Sequence, residues 1–82
     1  MDITILLSQN LRKLRERNGY TQKEIAELLN CVQVTYSNYE TGRRCIPIQS
    51  LIKLAKFYNV STDYLLGLSD DKSGKNSAFV RK

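Results

Sequence analysis

Gln33, Val34, Ser37, Asn38 and Thr41 fall on one side of a stretch with helical spacing, and that side holds no charge. A solvated helix face usually carries Lys and Glu, so the uncharged set calls for a partner with uncharged features of its own. Gln and Asn side chains can pair with N6 and N7 of adenine, Ser bonds to several base edges, and Val packs on the thymine methyl. Arg43 and Arg44 follow at once, where a phosphate backbone would pass if the helix lay in a major groove. The chemistry implied is recognition of duplex DNA without any covalent step.

These side chains need elements to position them, and residues Thr21 to Gly42 supply two short amphipathic helices. Thr21 is a good N-cap, and Glu24 three residues later completes a capping-box pattern, so a helix should start at Gln22. Ile25, Leu28 and Leu29 form its apolar stripe at i, i+3 and i+4. Ala26 lies beside them, small enough for a close crossing. Asn30 tolerates the left-handed backbone that ends a helix, which leaves room for only a brief turn. The second helix is predicted over Gln33 to Thr41, with Tyr36, Tyr39 and Glu40 inward and Gly42 as its stop. Two helices joined by such a turn have the layout of a helix-turn-helix.

The remaining segments read as scaffold. A first helix is predicted from about Thr4 to Arg17, with Ile3, Leu7, Leu11 and Leu14 as its core stripe and Asn18-Gly19 as its end. Pro47 suits the first turn of a fourth helix whose buried stripe is Ile48, Leu51, Leu54, Ala55 and Tyr58. Asn59 ends it and Val60 anchors the chain to the core. Ser61 caps a short fifth helix that Asp63 favours and Gly67 closes. From Ser69 the sequence turns polar, with Gly and Ser and no helical period, and residues 69–82 read as a flexible tail behind a domain of residues 1–68.

Composition narrows the class. The chain has 82 residues, a formal net charge of +5 and a pI near 9.4, enough for one small core and suited to a polyanionic partner. Arg12, Lys13, Arg15, Arg17 and Lys23 crowd the first helix and the start of the second; alone, such a run is usually a solvated face. There is no histidine, which removes His-based acid-base catalysis, a Ser-His relay and most zinc sites. Cys31 and Cys45 are far apart with no companion ligand, so no metal is expected; Cys31 reads as a small buried thiol and Cys45 as exposed. No nucleophile is paired with a base, no loop resembles a phosphate cradle, and no cofactor or small-molecule effector is implied. With no signal-peptide pattern and no span of membrane length, a cytoplasmic home without membrane contact is expected.

Residues 8 to 68 resemble the phage-repressor helix-turn-helix family, often called Xre-like and related to the lambda repressor. The resemblance rests on the TQxExA opening at Thr21 to Ala26, the YExG closure at Tyr39 to Gly42, and LIKLAKFYNVSTDYLLGL at Leu51 to Leu68. It implies an all-α, compact five-helix bundle that binds operator DNA as a homodimer. By position it makes Gln33 the principal base reader, with Val32, Val34, Ser37 and Asn38 beside it. Gln22 becomes a phosphate contact at a positive helix terminus that also helps orient the recognition helix, and Thr35 and Thr41 lie where phosphate contacts are common. Lys23, Arg43 and Arg44 complete the phosphate set. Arg15 and Glu40 fall on positions that often form an internal ion pair. Three departures stand out: Tyr36 is bulkier than the usual aliphatic residue, Asn30 replaces the usual turn glycine, and Val32 replaces the capping Ser or Thr, a loss of roughly 1 kcal/mol.

Phe57, Leu65, Leu66 and Leu68 are surplus apolar residues where the family commonly makes its dimer contact; the plainer reading is that most are core. The expected function is a sequence-specific transcriptional regulator of double-stranded DNA, a repressor at a palindromic operator. The alternative is a protein-interaction module, an antitoxin-like or adaptor partner that docks through the region of Val32, Val34 and Tyr36.

Overall fold

The computed structural model describes residues 3–69. Among them are five helices and no strand: α1 (Ile3–Arg17), α2 (Gln22–Leu28), α3 (Gln33–Thr41), α4 (Ile48–Tyr58) and α5 (Thr62–Leu66). The stretch 69–82, read above as a flexible tail, lies outside the described residues apart from Ser69 at its start.

Local signals set the helix ends. The Thr21 hydroxyl accepts from the Glu24 backbone N–H at 3.0 Å, and the Glu24 carboxylate accepts from the Thr21 N–H at 2.8 Å. This reciprocal cap satisfies two donors that the first turn of α2 cannot. The Ser61 hydroxyl caps α5 by accepting from the Tyr64 N–H at 3.0 Å. Val32 stands at the start of α3 with no side-chain hydrogen bond, as its hydrocarbon side chain dictates. Asn30 and Asn59 hold φ of 60° and 59°, so both reverse the chain where glycine is the usual choice. Gly67 is less replaceable: its φ is 79°, and a Cβ there would come within 2.9 Å of Leu6 Cδ1.

The helices enclose one core. Leu7, Leu11 and Leu14 of α1 meet Ile25 and Ala26 of α2, Tyr36 of α3, Ile46 of the α3–α4 loop, Leu51, Leu54 and Ala55 of α4, and Leu65 of α5. Helix α1 packs on α3 and α5, α2 on α3, and α4 on α5. Burial of each of the larger side chains favours folding by about 1.5 to 3 kcal/mol. Asn10 ties α1 to α5 by donating from Nδ2 to the Tyr64 and Leu65 carbonyls at 3.2 and 3.1 Å; the Tyr64 carbonyl also accepts from the Gly67 N–H at 3.1 Å.

The structure corrects four expectations. Ile48 does not belong to the buried stripe of α4; it is 65% exposed. Ile48 keeps helical spacing to Leu51 but stands at the first position of α4, beyond the core that the helix meets from Leu51 onward. Leu65 is fully buried and is no candidate for a contact with a second molecule. On a one-turn helix an apolar pair cannot share one face, and Leu65 takes the inward direction. Cys31 is half-buried, not buried. Val60, by contrast, is partly buried against the core as expected. Tyr36 is fully buried, which removes it from any docking surface.

Candidate nucleic-acid interface

The inward and outward sets of α3 separate along the helix as its periodicity requires. Tyr36 is 0% exposed and Glu40 8%, whereas Val32 and Val34 are 64% and 66% exposed. Gln33 and Thr41 are exposed, and Thr35, Ser37 and Asn38 are half-buried. Thus all five side chains expected to read bases are at least partly accessible, from the N-cap to the middle of α3. Thr41 lies at its far end and donates from Oγ1 to the Asn38 carbonyl at 3.3 Å.

Gly42, with φ of 80°, turns the chain off α3. The Arg44 backbone N–H then donates to the Asn38 carbonyl at 3.2 Å, which fixes the path immediately beyond the helix. Arg43 and Arg44 are both exposed, and neither forms an ion pair among the described residues. Lys23, in the first turn of α2, is exposed likewise. Such cations remain available to phosphates, which neutralise them on release of counterions. Arg12 is already engaged, its Nε 3.1 Å from Glu16 Oε2 on the surface of α1.

Beneath this surface lies a polar network between three elements. Arg15 Nε donates to Glu40 Oε2 at 2.6 Å and Nη2 to Oε1 at 3.2 Å, a two-pronged pair of α1 with α3. Arg15 Nη1 also donates to the Tyr20 carbonyl at 2.9 Å. Gln22 Nε2 donates to Glu40 Oε1 at 3.1 Å, bringing α2 into the same network. Burial pushes the Glu40 carboxyl up, but the hydrogen bonds it accepts, that from Arg15 foremost, outweigh the penalty and leave it below its ordinary value. The same bond raises Arg15. Tyr58, half-buried at the end of α4, is pushed up to about 12, mainly by burial. The expected Arg15–Glu40 pair is therefore present, and Gln22, expected to help orient the recognition helix, does bond to α3. Sequence reasoning missed that Glu40 is the acceptor and that the Tyr20 carbonyl joins the network, because neither an amide nor a backbone carbonyl marks its partner in the sequence.

Two other features went unread. A hollow of about 350 Å³ between α2 and α3 is lined by Lys23, Ala26, Glu27, Cys31, Val32 and Gln33, and the half-buried Cys31 thiol on its wall is raised by burial. Ile5 of α1 and Ile48 and Ile52 of α4 are exposed apolar residues. Of the expected dimer contacts, Phe57 is 40% and Leu68 65% exposed, while Leu66 is half-buried against the core. The Phe57 ring also packs on Tyr20 and Tyr58, with centroids 5.2 and 5.3 Å away. Cys45 is exposed as expected. Among the described residues no group of three or more His, Cys, Asp or Glu side chains is placed to hold a metal ion, and no helix is long and apolar enough to cross a membrane.

Two short packed helices joined by a brief turn, the second showing an uncharged face, within five helices around one core, define a helix-turn-helix domain. Comparison with known proteins agrees: the helix-turn-helix family model matches residues 11–65, and the chain belongs to this family, in its Xre-like branch. It is a family of regulators, not of enzymes. The chain is 50% identical over 70 residues to the HTH-type transcriptional regulator ImmR of Bacillus subtilis, covering 85% of this chain and 54% of that protein. It is 32% identical over 65 residues to the cryptic phage CTXphi transcriptional repressor RstR of Vibrio cholerae, covering 79% of this chain and 59% of the repressor. A solved transcriptional regulator from Listeria innocua superposes with a TM-score of 0.72 at 36% identity, over 74% of this chain and 57% of its own. The chain thus spans little more than half the length of these relatives.

Proposed function

We propose that this chain is a sequence-specific transcriptional regulator, a cytoplasmic repressor that occupies a palindromic operator as a homodimer. The observation that carries this reading is the accessible, uncharged face of α3 with exposed Arg43 and Arg44 directly beyond it. Base edges are read by Val32, Gln33, Val34, Ser37 and Asn38, and phosphates are held by Gln22, Lys23, Thr35, Thr41, Arg43 and Arg44. The name of the Vibrio cholerae relative supports repression. One short recognition helix covers few base pairs, so specificity is gained by two copies on half-sites roughly 34 Å apart. Phe57 and Leu68, with the edge of Leu66, supply exposed apolar surface for the partner copy.

Selection of bound duplexes from a random pool tests this. Enrichment of an inverted repeat with half-sites one turn apart is the expected result. A pool that does not enrich would sink the DNA reading, and a single unrepeated motif would remove the dimer. Docking of a protein through Val32 and Val34 is the competing reading. It has lost Tyr36 as an anchor and leaves Arg43 and Arg44 without a role.

A further inference from the structure

Among the side chains assigned to phosphates, Gln22 is held from another helix before any DNA arrives. Its Nε2 donates to Glu40 Oε1 at 3.1 Å. An ionised carboxylate only accepts, so this bond fixes which end of the amide faces inward. The nitrogen must point at Glu40, and its second hydrogen remains as the free donor. Glu40 cannot wander, because Arg15 grips both its oxygens at 2.6 and 3.2 Å and is itself held by the Tyr20 carbonyl at 2.9 Å. Arg15 also neutralises a carboxylate that would otherwise repel a nearby phosphate.

We propose that Glu40 is a positioning residue for DNA binding: it holds the Gln22 amide with an N–H presented to a backbone phosphate, so the α1–α3 ion pair also orients an α2 contact. This rests on the reading above that Gln22 lies against phosphate. The orientation matters because a flipped amide would offer a phosphate its carbonyl oxygen, an acceptor facing an acceptor.

Glu40→Gln tests it, since shape is kept while the acceptor-only character is lost. The new amide gives its oxygen to Arg15 and turns its NH2 toward Gln22, whose carbonyl oxygen then takes the place that its nitrogen held beside residue 40. Electrostatics alone predict the opposite outcome, because removing a negative charge and freeing Arg15 should tighten binding to DNA. The sign of the effect therefore separates positioning from bulk charge.

Affinity for the duplex selected above would be measured for the wild type, Glu40→Gln, Gln22→Ala and the double variant, all checked as folded by circular dichroism at the assay temperature. Each single variant is expected to bind roughly fivefold more weakly, and the double variant no more weakly than Gln22→Ala. Any loss of folded protein from Glu40→Gln occurs in both backgrounds and cancels in the cycle. Wild-type affinity or better for Glu40→Gln would overturn the proposal, as would full additivity or a Gln22→Ala variant that binds normally. A wild-type chain that binds no duplex would overturn the DNA reading as well, whereas additive variants of a DNA-binding wild type overturn only this assignment.

Discussion

At the scale of single residues, the face of α3 and its flank make different demands. Gln33 is exposed at the first helical position of α3, where a bidentate bond to adenine depends on the base. Gln33→Ala should cost about 1 to 3 kcal/mol of affinity for the selected site and leave affinity for random duplex unchanged. Competition binding with both duplexes checks this, and an equal loss on each would remove Gln33 from the base-reading set. Arg43 is exposed and free of ion pairs among the described residues. Arg43→Ala should weaken binding to every sequence and flatten the slope of log affinity against log salt by about 0.9. An unchanged slope would take Arg43 out of the phosphate set. That both side chains stay accessible was legible from the chain, because helical spacing and the Gly42 stop put them outside the core. Leu65 was not: its neighbours Leu66 and Leu68 are chemically alike, and only the direction of the one-turn α5 decides which of them is buried.

At the scale of elements, caps explain why the boundaries could be read with few errors. Thr21 with Glu24, Ser61, Asn30, Asn59 and Gly42 each act through the backbone within a few residues, so no distant partner is needed. The exception was the start of α4. Pro47 is compatible with both N-cap and first turn, and the apolar Ile48 fitted the stripe in either register until packing excluded it. The uncapped start of α3 offers a test. Val32 has backbone angles of −80° and 157°, those of an N-cap residue, so Val32→Ser meets no backbone strain and supplies an acceptor for α3. It should stabilise the fold by about 0.5 to 1 kcal/mol in thermal or urea unfolding. A neutral or destabilising result would mean that the wall of the hollow formed by Val32 contributes more than the missing cap.

At the scale of the whole molecule, the Arg15–Glu40 pair links the first helix to the recognition helix from the inside. The Glu40 side chain is 2% exposed and that of Arg15 12%, so removing the carboxylate strands a largely buried cation. Glu40→Ala should destabilise by about 3 kcal/mol, a fall in melting temperature of more than about 10 °C for a domain of this size. No change would make the pair a surface ornament. The folded state also has a defined pH range. The Glu40 carboxyl lies below its ordinary value of 4.5, so its contribution is full above that pH and lost as pH falls through the lower folded value. Tyr58 is raised from 10.0 to about 12, so its contribution is full below about pH 10 and lost as pH rises through 12. Urea unfolding across pH should show a plateau between these limits, and Glu40→Gln should reduce the acid limb.

The amino-acid order alone determined the helix count, the caps, the split of α3 into inward and outward faces, and the basic flank. Each depends on interactions within a few residues, where spacing and side-chain type are sufficient. Tertiary structure decided which surplus leucine is core, that Ile48 faces out, and that Gln22, Arg15, Glu40 and the Tyr20 carbonyl meet in one network. Those partners lie up to 25 positions apart along the chain. Their meeting depends on the angles at which α1, α2 and α3 cross, and those angles come from how the whole core packs, a property that no local stretch of sequence carries.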